Sequence, residues 1–150
     1  MIVIITFALI GSALFPVMAD SQRNPGEPAA SSVRSIYKKE SVVRGHHIYQ
    51  KSWTPVIGEV LTVEREENNP HDDHAVAVTK NGNIVGHVPR SISRVSWFFL
   101  KRGGVITCQI CGKRKHGVGL EVPCVYLYAG SAMMRRKLTR LLSETSSRPS

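Results

Sequence analysis

The residues best suited to chemistry lie in two short segments. Asn68, Asn69, Pro70, His71 and Asp72 crowd into one polar stretch, and His87 and Arg90 follow further along. An amide pair, an imidazole and a carboxylate in a turn can reach a ligand without the penalty of burial. Asn, Pro and Asp are also common turn formers, so the stretch alone describes an ordinary turn equally well. Its neighbours decide. From Val63 to Arg90 the chain reads VEREENNPHDDHAVAVTKNGNIVGHVPR, a strand, a polar turn, a strand, a tight turn and a strand. That order brings the polar turn and the His87–Arg90 segment into one region.

Pro89 is placed to open a helix at its first position, Ile92, Val95 and Phe99 share one face, and Gly103 ends it. Arg90, Arg94, Trp97 and Lys101 form a second stripe at i, i+4, i+7 and i+11. Cations would meet phosphates and the indole could stack on a base, which suits a nucleic-acid strand. Tryptophan is more often buried than displayed, so a packing role for Trp97 stands beside that reading. Lys113, Arg114, Lys115 and His116 add a basic run in an expected loop, either simply solvated or extending a positive groove.

Cys108, Cys111, His116 and Cys124 give the spacing C-x2-C-x4-H-x7-C. Zinc wants four thiolate or imidazole ligands in a tetrahedron, and this set could supply them. Cys108 and Cys124 fall inside apolar strand patterns, however, where a free cysteine behaves as a small hydrophobe. The expectation is core cysteines and no cofactor, with a small zinc-binding protein as an alternative. His71-Asp72-Asp73-His74 invites comparison with metal-dependent hydrolases but lacks partners from helices elsewhere. No phosphate-binding loop occurs, because Arg114 follows Gly112-Lys113 and Thr107 stands where the first Gly should be. No Ser or Cys has a nucleophile's surroundings. The chain reads as a binding protein, without catalysis of its own.

The elements that position these residues are mostly short strands. Ile57 to Val63, Ala75 to Thr79, Ile84 to Val88, Val105 to Ile110 and Glu121 to Tyr128 read as strands. Asn81-Gly82 makes a two-residue hairpin, since that pair supplies positive φ angles. Met134 to Leu142 reads as a short basic helix before a frayed Ser-rich tail. The fold class is mainly β: a small curled β-barrel of SH3 or OB type, with five or six strands, one inserted helix and a short C-terminal helix.

The chain has 150 residues and 16.6 kDa, room for one domain and its tails. A net charge of +9 and a pI near 9.9 favour acidic partners such as nucleic acid, anionic membrane or polyanionic glycans. Residues 1–19 read as a signal peptide or anchor: the first eighteen carry no charge and Val17-Met18-Ala19 resembles a cleavage site. Residues 20–41 read as a flexible linker, 42–130 as the ordered domain, and 131–150 as basic helix and tail. Three cysteines leave one unpaired in a secreted protein, and no Asn-x-Ser/Thr site occurs. Both facts fit a reducing compartment better than export.

N-N-P-H-D-D-H-A-V-A-V followed by G-N-I-V-G-H-V-P-R resembles the HIRAN domain, over roughly Val42 to Gly130. The resemblance implies a module that binds single-stranded DNA at a free 3′-hydroxyl end, in nuclear proteins whose Swi/Snf-type ATPase and RING domains remodel stalled forks. It implies that Asn69, His71 and Asp72 line the end pocket, His71 standing where an aromatic often stacks on the terminal base. Asp72 would accept from the terminal hydroxyl, and a carboxylate repels a terminal phosphate. His87 and Arg90 would hold the adjoining phosphates. Family members that bind ends carry an Arg followed by aromatics on the first strand. This chain has His47 to Trp53 there, with Tyr49, Lys51 or Trp53 as the substitutes. The alternative reading is a secreted or membrane-anchored β domain that binds protein or glycan.

Overall fold

Apolar residues at every second position decide which side of each strand faces inward. Leu61 and Val63 are buried while Thr62 and Glu64 between and beside them are exposed, and Ile106, Cys108 and Ile110 repeat the pattern. In the computed structural model the described residues are 35–117 and 119–147. The leader or anchor expected at residues 1–19, the linker up to residue 34, and the last three residues lie outside them.

The strands are β1 (Ser35–Val43), β2 (Val60–Arg65), β3 (Val76–Lys80), β4 (Asn83–His87), β5 (Val105–Ile110), β6 (Lys115–Gly117) and β7 (Gly119–Gly130). The helices are α1 (His46–Tyr49), α2 (Arg90–Lys101) and α3 (Ala132–Ser146). All pairs are antiparallel, in the order β1-β7-β5-β2-β3-β4, with β6 added to β7. Asn81 and Gly82 have φ of 52° and 80°, and Lys80 pairs with Asn83, so the two-residue hairpin is the one expected.

The expected barrel is corrected to a curled seven-stranded sheet that the ladders do not close. Its two ends meet at one isolated bridge. Arg44 N donates to His87 O and His87 N donates to Arg44 O, each at 2.9 Å. Gly86 makes this approach feasible, because a Cβ there would meet Val43 Cγ1 at 2.3 Å and the Arg44 oxygen at 2.8 Å.

The domain also starts earlier and ends later than the sequence implies. Ser35 to Ser41, read as linker, belong to β1, which pairs with β7 from Ser35–Gly130 to Val43–Val122. The helix expected from Met134 to Leu142 runs from Ala132 to Ser146 as α3. Ser131 caps it by accepting from Met134 N, and Leu138 and Leu142, four residues apart, are buried. It packs on α2, β1 and β7. Among the described residues no helix is long and apolar enough to cross a membrane.

Two phenols and a serine in the core are paired. Ser96 Oγ donates to Ile92 O at 2.8 Å, so in its 2.8 Å contact with Tyr128 the phenol is the donor. Burial pushes Tyr128 up to about 12, against the lowering effect of the Ser96 hydrogen bond, and the phenol stays neutral. Tyr126 donates to Val42 O at 2.8 Å, tying β7 to β1 by a side chain as well as by the ladder.

Candidate functional site

The polar turn between β2 and β3 is held by its own side chains. Asn68 takes a left-handed φ of 64°. Asn69 Oδ1 accepts from His71 N at 2.8 Å and from Asp72 N at 3.2 Å. Asp72 Oδ1 accepts from His74 N at 2.9 Å, and Ala75 N donates to Asp72 O at 3.2 Å. Both residues thus commit one oxygen to the turn. The Asn69 amide nitrogen and Asp72 Oδ2 remain for a ligand. His71 is exposed beside them and Asp72 is half-buried.

The end of β4 is fastened to the foot of this turn by Val88 N, which donates to Val76 O at 2.9 Å. Arg90 then lies at the turn, with Nη2 3.5 Å from His71 O. That is a loose contact, easily exchanged for a better acceptor. At the end of β4 His87 Nε2 meets Glu66 Oε2 at 2.6 Å, and the Tyr49 ring sits 6.1 Å from the His87 ring. Burial raises the Tyr49 phenol above its ordinary value, and the Glu66 charge adds to the rise. The structure therefore brings Arg90 to the turn that holds Asn69, His71 and Asp72, and separately gathers His87, Glu66 and Tyr49.

The helix stripe is changed. Arg90, Arg94 and Lys101 are exposed, but Trp97 is half-buried and packs against the core. Arg65 and Lys101 each lie 5.0 Å from its ring centroid, and His74 meets it edge-on at 5.2 Å. The indole is enclosed by cations rather than held open for a base. Its Nε1 is buried and has no hydrogen-bond partner among the described residues. Arg94 lies in a groove between α2 and α3.

Trp53 requires a plainer correction. It is 3% exposed, and its Nε1 donates to Glu59 Oε1 at 2.9 Å, so it is a core residue and offers no ring to a strand. Glu59 also accepts from Val56 N and from Lys80 Nζ at 2.9 Å. Burial raises its carboxyl, but these bonds and the Lys80 charge outweigh that and hold it below the usual range. Tyr49 is the one proposed upstream substitute that keeps a partly open ring, beside a cleft of about 610 Å³ along the β3–β4 hairpin.

The four zinc-spaced residues are not gathered. Cys108 and Cys124 are buried on adjacent strands, whereas Cys111 and His116 are exposed. The hydrogen bond with Cys124, then burial, pushes the Cys108 thiol well up. Among the described residues no three His, Cys, Asp or Glu side chains come together as metal ligands. The expected basic loop is in part a strand, since Lys115 and His116 belong to β6.

Sequence reasoning missed Glu66, Arg65 and His74. The two former sit in the Glu-Arg-Glu-Glu run, where nothing local says which charge faces the turn. His74 was read with a metal in mind, and instead packs on Trp97 and Phe98.

A curled antiparallel sheet, a polar turn and a G-H-V-P-R segment returning to that turn define a class. Residues 24–122 match the HIRAN domain family, and the chain belongs to that family. No curated protein matches it. Among solved structures it is similar to the crystal structure of the HIRAN domain of human HLTF, at 20% identity over 75% of this chain and 92% of that one, with a TM-score of 0.60. The NMR structure of the HLTF HIRAN domain in its DNA-bound conformation is similar at 21% identity, covering 75% and 90%, with a TM-score of 0.56. At such identity the likeness is one of fold.

Proposed function

We propose that this chain is a nucleic-acid-binding module that takes single-stranded DNA at a free 3′-hydroxyl end and has no catalysis of its own. The observation that carries the reading is the approach of Arg90 to the His71 carbonyl, which sets a cation beside an exposed imidazole and a carboxylate with one uncommitted oxygen. A cation there would take a bridging phosphate. Asp72 Oδ2 would accept from a terminal hydroxyl and repel a terminal phosphate. A fold shared with a domain solved in its DNA-bound conformation, and a net charge of +9, support the ligand class. In this reading the module serves a larger remodelling ATPase in the nucleus, on the same polypeptide or on a partner.

Fluorescence anisotropy with single strands ending in 3′-hydroxyl or 3′-phosphate tests it, the hydroxyl end binding more tightly. Asp72→Asn keeps an oxygen for His74 N but removes the charge, so it should erase the preference without loosening the turn. Arg90→Ala should weaken both strands and flatten the salt dependence. Equal, undetectable binding of both strands at low salt would overturn the proposal.

A further inference from the structure

Helices α2 and α3 leave an open groove of about 430 Å³ that the nucleic-acid reading does not use. That size falls within the roughly 300–1,000 Å³ of ligand-binding clefts. Its floor is apolar: Val95, Phe98, Met134 and Leu141 line it over the buried Phe99 and Leu138. Arg94, Arg102 and Lys137 complete the lining, and all three are exposed. Among the described residues no carboxylate lines the groove, and none of the three cations is paired with one. The remaining exposed face of α3 adds Arg135, Arg136 and Arg140.

We propose that this groove binds an acidic, amphipathic helical segment of a partner protein. An apolar floor between two helices accepts a row of large side chains at i, i+4 and i+7, the helix-in-groove mode. The unpaired cations select Glu or Asp on the flanks of that row. Three competitors fit less well. A phosphate backbone has nothing apolar to place on Phe98 and Met134. A flat bilayer cannot reach residues recessed between two helices. A second copy of this chain, at +9, brings charge of the wrong sign.

The test uses the full chain and two fluorescein-labelled helical peptides with the same leucine row, one flanked by Glu and one by Lys. The acidic peptide should bind, and its amide shift changes should centre on Val95, Phe98, Met134 and Leu141. Reversing Arg102 and Lys137 to Glu should weaken it by about tenfold or more, as loss of two interfacial charge contacts implies, and should improve the Lys peptide. Leu141→Glu should abolish binding of the acidic peptide while leaving single-stranded DNA binding unchanged. Circular dichroism on each variant separates lost binding from lost folding. Equal binding of the two peptides, shift changes elsewhere, or no binding at millimolar peptide would overturn the proposal. So would Leu141-dependent binding to phosphatidylserine vesicles with the peptides inert, which would assign the groove to a membrane.

Discussion

His87 and Glu66 reach across β3 to meet each other, Nε2 to Oε2, at 2.6 Å. A carboxylate thus occupies the imidazole that the proposed interface would turn toward a phosphate. Glu66→Gln removes that charge and keeps the shape. It should tighten single-strand binding by about two- to fivefold, the equivalent of ~0.5–1 kcal/mol for a partly exposed pair. Titration at low salt measures it. Weaker binding would mean that Glu66 orients His87 productively instead of masking it.

Asn69 is a turn-builder before it is a ligand contact. Its Oδ1 satisfies two backbone donors. Asn69→Ala should destabilise the domain by about 1–2 kcal/mol, the loss of two modest hydrogen bonds. Asn69→Asp, which keeps the acceptor, should recover most of that in urea denaturation. If alanine and aspartate behave alike, the turn is held by its backbone alone.

His46 sets an acid limit on stability. It is fully buried, edge-on to Trp53 at 5.2 Å, with neither ring nitrogen hydrogen-bonded among the described residues. Burial lowers its pKa below the ordinary 6.5, and the charges of Arg114 and His47 add to this. The unfolded chain therefore takes up a proton near pH 6.5 that the folded one refuses. Stability should fall as pH drops below about 6.5, by at most ~1.4 kcal/mol per pH unit from this group, and level off below the folded pKa. His46→Phe should remove that share of the slope in melts between pH 7 and pH 5. An unchanged slope would show that other groups carry it.

Gly86→Ala tests the seam between the sheet's two ends. The new methyl would press on Val43 and on the Arg44 carbonyl. Destabilisation of about 1–3 kcal/mol is expected, as for other overpacked sites. Amide exchange at Arg44 and His87 should rise more than at Tyr126, which lies in unbroken ladders on both sides. A uniform rise across the sheet would mean that the bridge is not a separate weak point.

Local patterns were legible where the local chain decides the outcome. The Asn81-Gly82 turn, β5 from Val105 to Ile110 and the helix after Pro89 follow from residue type and period alone. Among the site residues, the turn and its closeness to Arg90 followed from strand order. Trp53 was misjudged because its fate depends on Glu59, whose carboxylate also gathers Lys80 from another strand. Trp97 stood open between packing and base stacking, since Arg65 and His74, which decide it, reach it from outside its own helix. That the sheet stops short of a barrel was not readable, because its ends are distant segments joined, among the described residues, by a single pair of backbone hydrogen bonds.

The charge run Lys38-Lys39-Glu40, which leaves β1 without an apolar period, has another consequence. Among the described residues strand β1 ends the path of ladders, and only Arg44, just beyond it, bonds across to β4. A long free margin of this kind could template the strand of another chain, and charged side chains along it oppose such pairing. Lys38 and Glu40 are exposed there. The same charges that obscure the strand in the sequence thus oppose the addition of a neighbouring strand along it.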